Sequence, residues 1–131
     1  MQSTEIKGIN VGFYEGPVIT AEADVNDVIG ATYGLGIDLV AIPAERLVDD
    51  FFWLSSRLAG AVLQKFQQYG FRVAILGDIS RFTLESPSLR DFVYESNQRG
   101  QVMFLADRAA LKARLEGDAA WSSSHGGETP P

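Results

Sequence analysis

Apolar residues recur at intervals of three and four through 49–69, where Phe51, Leu54, Leu58, Val62, Phe66 and Tyr69 form one stripe and Phe52, Ala59 and Leu63 widen it. That spacing predicts an amphipathic helix facing a core, stopped by Gly70. The run Phe71-Arg72-Val73-Ala74-Ile75-Leu76 follows at once and predicts a strand buried on both faces, closed by Gly77-Asp78. Upstream, Ile9, Val11 and Phe13 alternate within 5–14, and Glu15-Gly16-Pro17 supplies a turn before Val18-Ile19, which reads as an antiparallel hairpin. A first helix is expected over 24–35, with Val25, Val28, Ile29 and Thr32 at helical spacing, Asp24 as cap and Gly34 and Gly36 at the exit. A strand over 37–42 ends at Pro43, and Asp38 within it points to an edge or a strand end.

Beyond the central helix and strand, 78–86 reads as a loop. Ser86-Pro87 then opens a third helix through Leu89, Phe92, Val93 and Ser96, ending before Gly100. A strand over 102–106 follows, and Asp107 caps a last helix in which Leu111 and Leu115 lie one turn apart. Strands separated by helices imply right-handed crossovers, so the fold class is α/β: a single domain over 1–116 with a mostly parallel sheet, an N-terminal hairpin and flanking helices. Residues 117–131 are poor in apolar groups and are expected to form a disordered tail.

Composition narrows the chemistry. With 131 residues, 46% of them hydrophobic, the chain can bury one core. A net charge of -6 without clustered Lys and Arg argues against nucleic acid as a partner. The chain has no cysteine, and its single histidine, His125, lies in the polar tail, so thiolate, Ser-His and Cys-His mechanisms have no carriers. No cofactor or metal site is expected. No apolar run approaches the roughly 20 residues of a membrane span, so no membrane is expected and the location is read as cytoplasmic.

Three strings resemble a known family: Asp50-Phe51-Phe52-Trp53-Leu54 with Ala59-Gly60-Ala61-Val62-Leu63-Gln64-Lys65-Phe66, then Val73-Ala74-Ile75-Leu76-Gly77-Asp78, then Ser88-Leu89-Arg90-Asp91-Phe92-Val93-Tyr94-Glu95-Ser96-Asn97. Together they resemble the bacterial family catalogued as domain of unknown function 4180, over 5–115. More distantly, the order of elements is similar to the STAS domains of anti-sigma-factor antagonists and sulfate transporters. That likeness implies a regulatory interaction module, in which antagonists carry a phosphorylatable serine near the start of the helix after the third strand. Here Asp49-Asp50 stands at that position, with Ser55 and Ser56 about a turn further on.

Ligands of open α/β sheets gather beyond the C-terminal strand ends. Of the stretches 43–50, 78–90 and 106–108, the second is richest in polar groups, including Ser80 and Glu85. Asp78, Arg81, Ser88, Arg90 and Asp91 therefore form a candidate site for a small anionic ligand. In it Arg81 or Arg90 would clamp the anion and Asp78 would act as acceptor or base. The structural alternative has Asp78 capping the turn after Gly77 and Arg90 paired with Asp50 or Glu95. A second candidate surface comprises Asp49, Asp50, Trp53 and Arg57, because on a helix Trp53 would share a stripe with Arg57, Gly60 and Gln64 away from the main apolar face. Gly60 inside that helix implies a close approach by a neighbouring element. The leading expectation is a non-catalytic STAS-like regulatory or interaction module that binds a protein partner or a second copy of itself. The alternative is a small-molecule-binding domain or enzyme with its site at the strand ends.

Overall fold

The computed structural model describes residues 1–124, with 118–124 by backbone alone. The tail expected over 117–131 thus lies almost wholly outside the described side chains. The described residues contain one five-stranded sheet in the order β1-β2-β3-β4-β5. Its strands are β1 (Gln2–Ile6), β2 (Ile9–Phe13), β3 (Leu39–Pro43), β4 (Arg72–Leu76) and β5 (Val102–Leu105). β1 is antiparallel to β2 and every other pairing is parallel. The α/β class and the N-terminal hairpin expected from the sequence are both present.

The hairpin turns at Lys7-Gly8, however, and not at Glu15-Gly16-Pro17. Lys7 (φ 50°) and Gly8 (φ 83°) both take positive φ, as a two-residue turn matching the strand twist requires. What had read as one strand is therefore the end of β1 and all of β2, and Ile19 instead bridges Leu47 in parallel. Asp38 sits just before β3 at a strand end, where its carboxylate accepts the Asn10 backbone N–H at 2.9 Å.

The crossover helices are α1 (Val25–Thr32), α2 (Leu58–Gln68), the single turn α3 (Ser80–Thr83) and α4 (Pro87–Arg99), and α5 (Arg108–Ser124) follows β5. The core divides by sheet face. Val40, Ile42, Val73, Ile75 and Phe104 pack under α1, α2 and α4, whereas Val11, Phe13, Leu39, Ala41, Ala74, Leu76 and Met103 pack under Leu111 and Leu115 of α5. A strand order that never reverses, with right-handed crossovers, sends every crossover helix to one face and leaves the other to α5.

The long helix expected over 49–69 is the main departure. Asp49–Phe52 and Leu54–Ser56 are short 3-10 turns, Trp53 between them is extended, and Arg57 (φ 65°) precedes an α-helix that begins only at Leu58. Two local causes act together. The Ser56 hydroxyl donates to the Asp50 carbonyl (2.5 Å) and accepts the Leu58 N–H (3.2 Å), diverting backbone groups that a continuous helix would use. The consecutive rings of Phe51, Phe52 and Trp53 also find more burial in turns than on one helix stripe. Phe52 stacks on Phe82 at 4.6 Å, Phe51 meets Phe52 edge-on at 5.1 Å, and Trp53 meets Phe82 edge-on at 5.2 Å.

Candidate functional site

The connection after β4 leads to α3 and α4 on one sheet face, while the connection after β5 leads to α5 on the other. Loops that part from neighbouring strands toward opposite faces leave a crevice at the C-terminal strand ends, where open α/β sheets bind ligands. A groove of about 520 Å³ occupies that place. Its floor is Ile79, Val93, Phe104 and Leu105, and its polar margin is Asp78, Ser80, Thr83, Arg90, Tyr94 and Asn97.

Local sequence explains the walls. Ser86 caps α4 by accepting the Leu89 N–H at 3.2 Å, with Pro87 at the first helical position as expected. This sets the phase of the helix, so that Arg90, Val93, Tyr94 and Asn97, spaced at i, i+3, i+4 and i+7, turn one face to the groove. Gly77 opens the loop from β4 with φ 147°, and a Cβ there would lie 2.9 Å from the Ala44 Cβ, so only glycine suits the position. Asp78 accepts the Ser80 N–H at 2.9 Å, and hydrogen bonds from Ser80 hold its carboxyl below the usual range. Asp78 thus caps the turn after Gly77, one of the two roles open to it from sequence.

The five residues of the candidate ligand set divide. Asp78 and Arg90 line the groove, whereas Arg81, Ser88 and Asp91 do not. Arg81 turns away to Asp49, with its Nη2 2.9 Å from the carboxylate and its guanidinium 3.9 Å from the Phe82 ring centroid. Arg90 pairs with neither Asp50 nor Glu95. Its Nε lies 3.7 Å from Asp91, beyond hydrogen-bond range, and its side chain is 67% exposed.

The second candidate surface is rearranged by the loss of the first helical turns. Asp49 and Asp50 start a 3-10 turn, Trp53 is half-buried against Phe82, and Arg57 is exposed in the left-handed conformation. No common stripe carries Trp53 and Arg57. The Asp49–Arg81 ion pair and the Trp53–Phe82 contact instead join this segment to α3, so the two candidate surfaces form one continuous rim. Among the described residues beyond its own helix, none comes within 4 Å of where a Gly60 Cβ would stand, so none of them makes the close approach expected there.

Two polar groove residues lie beyond 78–90 and escaped sequence reasoning. Tyr94 is 67% exposed on the groove margin. Asn97 accepts the Phe104 N–H at 2.7 Å and donates to the Phe104 carbonyl at 3.2 Å, taking the place of a sixth strand along part of β5. The helical spacing from Arg90 was the available signal for both. Among the described residues no cluster of carboxylates or histidines could hold a metal ion, and no helix is long and apolar enough to cross a membrane.

Comparison with known proteins places the chain in a family. The model described as Domain of unknown function (DUF4180) matches residues 6–115, and the chain belongs to that family. No curated protein and no solved structure matches it.

Proposed function

We propose that this DUF4180 domain is a non-catalytic binding module whose working site is the crevice between the ends of β4 and β5. Its ligand has an apolar body and one anionic group, contributed by a small molecule or by a partner's side chain. The observation that carries this reading is the coincidence of the groove with the point where consecutive connections part to opposite faces. The chemistry agrees with it. Ile79, Val93 and Phe104 offer an apolar bed, Tyr94 an exposed ring, and Arg90 a guanidinium whose ion-pair partner among the described residues, Asp91, stands at 3.7 Å. Asp78, the carboxylate at the margin, is engaged by hydrogen bonds from Ser80, which lower its pKa and commit it to the turn.

The interaction reading based on Asp49, Asp50, Trp53 and Arg57 is kept as the second. One observation favours it: Leu84, 84% exposed, directly follows α3, the turn that Asp49 and Trp53 contact through Arg81 and Phe82, and gives a protein partner apolar purchase. A regulatory role and a cytoplasmic location belong with that reading.

A thermal-shift screen of small aliphatic and aromatic carboxylates and phosphates tests the crevice. At a hundredfold excess over Kd, a true ligand stabilises the fold by about 2.7 kcal/mol. At least one compound should raise Tm in the native chain and fail to do so in Arg90→Ala, with Tyr94→Ala intermediate. A screen without hits, or hits indifferent to both substitutions, refutes the proposal.

A further inference from the structure

The two edges of the sheet are unequally protected. Along β5 the Asn97 side chain takes both outward backbone groups of Phe104. Among the described residues nothing comparable covers β1, whose residues Gln2, Ser3, Thr4 and Glu5 are all exposed. The register shows which backbone groups are free. Asn10 donates its N–H to the Asp38 carboxylate and accepts the Asp38 N–H with its carbonyl, so its backbone faces β3. Opposed residues of an antiparallel pair point either at each other or both away. Glu5 opposes Asn10 and Ser3 opposes Gly12, so the N–H and C=O groups of Ser3 and Glu5 face outward from the edge.

We propose that this edge is a dimerisation surface, on which β1 of a second copy pairs antiparallel with β1 about a two-fold axis through Thr4. The register follows from hydrogen bonding and charge. Within β1 the outward groups are those of Ser3 and Glu5, and placing Ser3 opposite Glu5 of the second copy pairs all of them in two closed rings. A shift that sets Glu5 opposite Glu5 opposes two like charges, and a shift the other way sets Glu5 opposite Met1, which lies outside the strand. In the favoured register Thr4 faces Thr4, a cross-strand pair that strands accommodate well. β1 contains neither proline nor lysine, two of the residues that natural edges use against such pairing. Beside it, on the α5 face, a groove of about 520 Å³ between β1 and Arg108 leaves room for the side chains of Gln2, Thr4 and Ile6 from the second copy. The result is a ten-stranded continuous sheet, with the two crevices at its far ends and free to act independently.

The absence of cysteine makes the register directly readable. Introduced singly into the full chain under mild oxidation, Thr4→Cys should form a disulfide-linked dimer. Gln2→Cys and Ile6→Cys should each fail alone but cross-link when mixed, since residue 2 faces residue 6 of the second copy. Sedimentation should show a dimer whose dissociation constant rises at least tenfold in Glu5→Pro, which removes an outward N–H while sparing the bonds to β2. Should Glu5→Pro unfold, Ser3→Pro serves the same purpose and the cross-linking pattern decides. A chain monomeric at 100 µM, or cross-linking equally efficient at all three positions, overturns the proposal.

Discussion

Replacing Asn97 by alanine is expected to loosen the β5 edge by a calculable amount. The substitution removes the acceptor 2.7 Å from the Phe104 N–H and the donor 3.2 Å from its carbonyl, on a residue only 7% exposed. An orphaned backbone group in such a place costs about 1–3 kcal/mol. The short bond accounts for about 1.5 kcal/mol on that scale, since water can reach part of the vacated edge, and the longer one, at a carbonyl that retains a second lone pair, for about 1 kcal/mol. Together they come to about 2.5 kcal/mol. Alanine is a better helix former than asparagine by about 0.5 kcal/mol, so the net loss is about 2 kcal/mol. For a domain of this size that lowers Tm by about 8 °C. Urea denaturation and calorimetry give the magnitude, and amide hydrogen exchange should locate it, with the Phe104 N–H accelerated more than those of β3. The neighbouring exposed Gln98→Ala should change stability by no more than about 0.5 kcal/mol. If Asn97→Ala shifts Tm by less than about 2 °C, the amide is not a substitute strand and the account of unequal edges fails with it.

Gly60→Ala should stabilise the protein by about 1 kcal/mol in urea titrations, because the position is inside α2 and nothing stands near the added methyl. A loss of stability would mean that another group does approach there. Acid sensitivity should depend on Asp24, whose carboxylate accepts from the Thr20 N–H and hydroxyl and from the Ala21 N–H, and whose pKa is lowered chiefly by those Thr20 bonds. A depressed folded pKa contributes stability that is present above the ordinary value of 3.8 and lost as pH falls through the lower folded value. The urea midpoint of the native chain should therefore fall more steeply below that pH than the midpoint of Asp24→Asn, and parallel curves would remove Asp24 from the explanation.

What could be read from the sequence divides by the range of the forces involved. Strands β3, β4 and β5, the Ser86-Pro87 start of α4 and the Asp107 cap of α5 depend on neighbours a few residues away, and all were legible. The turn at Lys7-Gly8 was missed because its first residue is a lysine, which carries no local preference for positive φ, while Glu15-Gly16-Pro17 offered the more familiar turn composition. The helix over 49–57 was lost to a contact 30 residues away in sequence: the ring of Phe82 takes Phe52 on one face and Trp53 edge-on, an arrangement that helical spacing cannot supply. The candidate site had the same limit. Loop composition singled out 78–90 among three stretches at the C-terminal strand ends, and with it Asp78 and Arg90, but only the order of the strands shows which of its residues face a groove. In the order β2-β3-β4-β5 each connection as far as β5 returns to the same face, and α5 alone departs from it. That departure makes the ends of β4 and β5 the place where the rim parts. It turns Arg90, Tyr94 and Asn97 into the wall of a groove, and it leaves Arg81, chemically an equal candidate, to tie α3 to Asp49.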